Sequence, residues 1–177
     1  MRVILAASIA VIALAGIAAA ADPTGEWLVA NSEAKIRIDN CNGALWGVVA
    51  WEKDPGSTDS HNPNPAERSR PTLGIHVLIA MRPTKPNVWE GQIYNAENGK
   101  TYDSRLSLTS PDVLRVEGCV LGFLCGGENW TRVPELPAAA ASRALQQRAA
   151  KPDGTDVGSA CSGAADVAGA PHKGGLK

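Results

Sequence analysis

Residues 34–51, AKIRIDNCNGALWGVVAW, decide the fold. Ile36 and Ile38 alternate with Lys35 and Arg37, the period of two that marks a strand with one dry and one wet face. Asn42-Gly43 separates this strand from the next run, and that dipeptide suits a two-residue hairpin turn. The run Leu45–Trp51 is apolar without alternation, as a strand covered on both faces or a buried helix would be; its length and β-branching favour the strand.

Working outward, the same texture recurs. GEWLVAN (25–31) precedes the hairpin, and LGIHVLIA (73–80), VWEGQIYN (88–95), KTYDSRLSL (100–108), DVLRVEGC (112–119) and NWTRV (129–133) follow it. Asn98-Gly99 and a Ser-Pro-Asp step punctuate them as turns. Eight strands at this spacing predict an all-β domain, a small antiparallel eight-stranded barrel, rather than an α/β fold. A barrel of that size is filled by side chains or holds one small ligand.

The flanks differ in kind. Arg2, the apolar run Val3–Ile17 and Ala19-Ala20-Ala21 have the layout of a secretory signal peptide over residues 1–21. The run is short for a membrane span, so the sequence predicts an exported chain with no span after cleavage, placed in the periplasm. Residues 22–133 hold all five tryptophans, both tyrosines and the one phenylalanine. Residues 134–177 are rich in Ala, Gly and Pro and lack aromatics, so this tail reads as disordered, with a marginal helix over 138–150. Charge is nearly balanced and unclustered, which gives nucleic acid no electrostatic footprint.

Gly25-x-Trp27 opens the barrel sequence and Arg132 closes it. An arginine laid across an indole at a barrel floor contributes about 0.5–2 kcal/mol. This pairing resembles the calycin superfamily of lipocalins and fatty-acid-binding proteins, in which a late Arg or Lys packs on the Trp of a Gly-x-Trp. A more specific resemblance rests on GEW (25–27), IRIDNCNGALWGVVAW (36–51), NPNPAERSRPTLG (62–74), WEGQIYNAENGKTYDSRLSL (89–108) and LRVEGCVLGFLCGGENWTRV (114–133). These words, in this order, resemble the secreted bacterial family known as domain of unknown function 2147. The resemblance implies an exported barrel-like domain with no established activity. The chain departs from the family near Trp46, where members often carry a second cysteine soon after the one at position 41.

The resemblance also implies that the proline-rich run 54–74 is a structured loop. Pro63, Pro65 and Pro71 restrict its backbone, and Asn62 and Asn64 close turns with their own side chains. Arg68 and Arg70 offer forked donors that either tie the loop to the barrel or present an anion contact to a ligand. The loop oxygens of Asp54, Asp59, Asn62, Asn64 and Glu67 lack calcium-loop spacing, and no histidine pair marks a metal site. His76 reads as a satisfied barrel residue. No metal or cofactor is expected.

Export makes disulfides expected. Cys119 and Cys125 bracket a short loop, and bonding them contributes roughly 2 kcal/mol by chain entropy. Cys41 and Cys161 remain; a cysteine in a disordered tail is a poor partner, so their pairing stays open. Two function classes follow. In the first, the barrel binds a small apolar or amphipathic ligand, with Arg70, Arg68, Trp89, Tyr94 and Tyr102 as candidate contacts beside Trp46 and Trp51. Alternation puts Trp89 and Ile93 on one face of their strand and Tyr94 on the other, so these candidates cannot all face inward. In the second, the barrel is filled and the protein serves structure or interaction in the cell envelope. No nucleophile elbow, zinc signature or convincing carboxylate pair supports an enzyme.

Overall fold

A computed structural model describes residues 22–121, 123–135 and 157–164. The leader expected at 1–21 and the marginal helix expected at 138–150 lie outside the described residues. Eight strands run β1 (Gly25–Leu28), β2 (Ala34–Cys41), β3 (Ala44–Glu52), β4 (His76–Lys85), β5 (Val88–Asn95), β6 (Lys100–Ser110), β7 (Val113–Val120) and β8 (Leu124–Arg132). Each pairs antiparallel with its neighbour in sequence, and β1 also pairs with β8, closing a barrel. Connections are tight except for the long β3–β4 loop.

The turns obey the chemistry read from the sequence. Asn42 and Gly43 both take positive φ, 55° and 85°, as a primed hairpin turn needs. The Asn40 side chain accepts from the Gly43 amide at 2.9 Å. Gly99 has φ +67°, and a Cβ there would lie 1.8 Å from the His61 carbonyl oxygen. Only glycine lets the β3–β4 loop lie this closely on the β5–β6 turn.

Closure rests on the two ends of the domain. Trp27 pairs with Arg132 and Leu28 with Thr131. The Arg132 guanidinium stacks 4.2 Å from the centroid of the Trp27 ring. Its three nitrogens donate to the carbonyls of Pro111 (2.6 Å), Thr24 (2.6 Å) and Asp22 (2.7 Å). Gly25 has φ +112°, and a Cβ on it would stand 3.2 Å from that guanidinium. Hence the Gly-x-Trp and the late arginine form one unit. Arg132→Ala is expected to cost about 2 kcal/mol in urea unfolding, because one stacking contact and three carbonyl partners go together. A loss under ~0.5 kcal/mol would mean that closure is held elsewhere.

The inward face is filled by the chain itself. Trp27, Ile38, Leu78, Met81, Leu106 and Leu114 are fully buried. A Cβ at Gly47 would meet Leu78 at 2.9 Å, and one at Gly91 would meet the Met81 sulfur at 2.8 Å. The two glycines therefore make the space that Leu78 and Met81 occupy, which is close packing and not a void.

Three features differ from the sequence reading. β4 continues through Pro83 to Lys85, beyond the Ala80 at which the sequence pattern stops. Register shifts after Ile79 and after Pro83, and the positive φ of Ala80 (49°), place the proline in an irregular, exposed stretch, where a strand tolerates it. β8 begins at Leu124, so Cys119 and Cys125, which bracket the short loop read from the sequence, are paired residues within a long hairpin, one step from its turn. They are bonded as expected.

The third difference is the tail. The expectation of disorder over 134–177 does not hold for Val157–Ala164, which is docked on the barrel, and Cys161 is bonded to Cys41. Covalent attachment removes the objection that a segment so poor in apolar bulk cannot offset its ordering entropy.

Candidate functional site

The docked segment lies on the outward face of β2–β4. Along that face Arg37 is paired with Val48, Asp39 with Trp46, and Cys41 with Ala44. Arg37 donates to the carbonyls of Val157 and Gly158. The Asp39 carboxylate accepts from the Ser159 hydroxyl (2.9 Å) and the Ala160 amide (2.7 Å). His76 Nε2 lies 2.8 Å from the Ala160 carbonyl and so donates to it, and its ring meets Trp46 edge to face. Ala160 is fully buried, and Trp46 and Val48 are buried although they point away from the barrel interior. This cover is the second face that the unbroken apolar run Leu45–Trp51 calls for. A cleft of about 290 Å³ opens where the segment meets the loop, lined by Val48, Pro71, Leu73, Gly74, Val157 and Ser162 among others.

The β3–β4 loop holds a second cluster. Asp59 is fully buried. One carboxylate oxygen accepts from the Tyr94 hydroxyl at 2.6 Å, and the other from Asn62 (2.6 Å) and from Arg70 Nε (3.1 Å) and Nη2 (2.8 Å). Arg70 also reaches Glu67 at 3.1 Å. Arg68 donates to the Asn62 carbonyl at 2.8 Å. The Asn62 and Asn64 side chains accept from the amides two residues on, those of Asn64 and Ala66, as turn-forming side chains do. Both arginines thus bond within the loop, and the Tyr94–Asp59 hydrogen bond is what joins the cluster to β5 of the barrel.

Burial alone pushes the Asp59 carboxyl up, but hydrogen bonds from Asn62, Tyr94 and Arg70, with the Arg70 charge, outweigh it and hold the group below 3.8. Burial, then the bond to Asp59 and its charge, push the Tyr94 phenol up to about 12. One group stays ionised and the other protonated across the neutral range. The cluster is a fixed ion pair with no proton to exchange, so it is a clamp.

The candidate contacts do not converge. Arg70 and Tyr94 meet at Asp59, on the outside of the barrel. Tyr102 shares the inward face with Ile93 and Gly118, and its hydroxyl accepts from Asn98 at the mouth. Trp89 packs partly buried against the core at the other end of β5. Among the described residues no three His, Cys, Asp or Glu side chains converge as metal ligands. Sequence reasoning counted Asp59 only as a loop oxygen and missed Arg37 and Asp39 as anchors; the non-alternating runs were the one available signal of a cover.

The mouth is apolar on one side. Val120, Leu121, Phe123 and Leu124 at the tip of the β7–β8 hairpin are 48%, 61%, 72% and 60% exposed. Val120 pairs with Leu124 in the register that carries Gly118 and Gly126 inward.

The profile of a family described as an uncharacterized protein conserved in bacteria, DUF2147, matches residues 25–132. The chain belongs to that family. DUF2147 residues thus span the whole barrel from β1 to the end of β8. A solved structure titled "Protein HP1028 from the human pathogen Helicobacter pylori belongs to the lipocalin family" is similar at a TM-score of 0.59 and 19% identity, covering 71% of this chain and 89% of that one. The likeness establishes a lipocalin-like fold. No curated protein matches the sequence. The two disulfides point to an oxidising compartment outside the cytoplasm.

Proposed function

We propose that this DUF2147 protein is an exported, non-enzymatic interaction module of the cell envelope, in which the barrel is a solid scaffold and the surface carries recognition. The observation that carries the reading is the inward face itself: fully buried Leu78, Met81, Leu106 and Leu114 occupy the volume that a ligand would need. The leader and both disulfides support export to the periplasm. A second reading is favoured by the mouth, where Val120 and Leu124 share the inward register yet remain exposed. There a small apolar or amphipathic ligand would sit against Tyr102 and the hairpin tip.

Titration of the exported chain with fatty acids and lysophospholipids, followed by tryptophan emission, separates the two. The scaffold reading expects no saturable change at micromolar ligand. Saturable binding that Tyr102→Ala abolishes would replace it with the ligand reading.

A further inference from the structure

β8 has a free edge. Of its residues only Thr131 and Arg132 pair with β1, whereas Leu124–Thr131 all pair with β7. Among the described residues the outer side of Leu124–Trp130 has no partner. The direction of its backbone groups follows from the two amides that close the barrel. The Arg132 amide donates toward β7, to Asp112, and the Val133 amide toward β1, to Glu26. By alternation the N–H and C=O groups of Cys125, Gly127 and Asn129 point to the open side.

This edge lacks most of the usual protection, its one charge being Glu128 in the inward register. Residues 124–130 contain no Lys, Arg or Pro, and the β7–β8 register runs without a bulge. Beside it stands the exposed apolar tip, held in shape by the Cys119–Cys125 bond. An open strand edge whose single charge is Glu128, beside exposed Leu and Phe, is a template for strand addition.

We propose that the occupant is a second copy of this chain, joined β8 to β8, antiparallel, about a two-fold axis at Gly127. The strand's own sequence selects the occupant and the register. Centred on Gly127, the outward groups of Cys125, Gly127 and Asn129 meet those of Asn129, Gly127 and Cys125 in the partner. Glu128 then faces Gly126, and Leu124 faces Trp130, so no like charges oppose each other and each exposed Leu124 gains an indole neighbour. A centre on Glu128 would set the two carboxylates against each other. A centre on Asn129 would require Thr131, which β1 already holds. The Ala-rich residues after the barrel are poor strand formers, which leaves a copy of β8 as the fitting occupant.

The proposal deepens the interaction-module reading and fails separately from it: a monomer that binds no small ligand sinks only the pairing. Sedimentation velocity of the exported chain over a concentration series is expected to show a reversible dimer. Gly126 has nothing within 4 Å of an added Cβ, so it accepts a probe charge. Gly126→Glu sets like charges across both Gly126–Glu128 contacts and is expected to weaken the dimer about ten-fold, whereas Gly126→Lys leaves it unchanged or tighter. Folding of each variant is checked by circular dichroism.

Three results would overturn the proposal. One is a monomer at all concentrations that floats with phosphatidylethanolamine–phosphatidylglycerol vesicles, which assigns the tip to a lipid surface. Another is association that Phe123→Ser removes but the sign of charge at Gly126 does not affect, which means sticking of the tip alone. The last is hydrogen-exchange protection of the Cys125, Gly127 and Asn129 amides in the dilute monomer, which means that the chain covers its own edge.

Discussion

Cys161→Ser is expected to destabilise the folded chain by about 3–5 kcal/mol, the upper range for a native disulfide. The bond joins residues separated by 120 positions in a chain of 177, so breaking it frees a loop of about two thirds of the unfolded chain. The folded side loses as well. Without the bond, the docked segment is held by Arg37, Asp39 and His76 through a handful of backbone contacts. Such contacts contribute about 1 kcal/mol each, or about 2 with a charged partner. Ordering eight residues costs roughly 1–2 kcal/mol apiece, which is more than the contacts return. The segment is therefore expected to leave, and Trp46, only 5% exposed with the segment in place, is expected to face water. Urea unfolding would show the lost stability, a red shift in tryptophan emission the uncovered indole, and hydrogen exchange the loosened outer face of β2–β3. Reduction is a poorer probe because it also opens Cys119–Cys125. Emission and stability within about 1 kcal/mol of the parent would show that noncovalent contacts hold the segment unaided.

The fold was legible wherever neighbouring residues determine the backbone. Asn42-Gly43 marked its hairpin because few other pairs take two positive φ values in succession. Gly25, Trp27 and Arg132 were legible as a pair of ends, since a strand order of consecutive hairpins returns the last strand beside the first. The unbroken run Leu45–Trp51 announced a cover without saying what it was. Nothing local links Val48 or Trp46 to a segment more than a hundred residues later, and that segment is itself too poor in apolar bulk to look structural. Its one useful mark was Cys161, and a cysteine's partner is fixed by geometry that spacing does not contain. The clamp was hidden for a related reason. An aspartate among Ser, Asn and Pro reads as a solvated turn, and the partner that buries Asp59, Tyr94, lies on the far side of two strands' worth of chain.

That burial makes Asp59→Ala the other large expected effect, about 3 kcal/mol. The ion pair is not the main source. Arg70 keeps 39% of its side chain in water, so screening holds the pair to about 1 kcal/mol or less. The larger loss comes from the donors left behind: the Tyr94 hydroxyl and the Asn62 amide, both buried, each cost about 1–3 kcal/mol without an acceptor. The pH dependence has a definite sign. The Asp59 carboxyl lies lower in the folded chain than its unfolded value near 3.8, so its contribution is complete above that value and disappears as pH falls through the lower folded one. The stability gap between parent and Asp59→Ala should thus be constant through neutral pH and shrink below about pH 4. At the alkaline end Tyr94 ionises near 12 in place of 10.0, so its contribution is intact below pH 10 and lost as pH rises through about 12. Removing Asp59 takes away both a hydrogen bond and a negative charge that oppose ionisation, and the Tyr94 titration should move down. Tyrosinate absorbance, with Tyr94→Phe to assign the transition, reads this directly. An unmoved titration together with a gap that persists in acid would mean that Asp59 carries no charge in the folded loop, and the clamp would then be an ordinary turn.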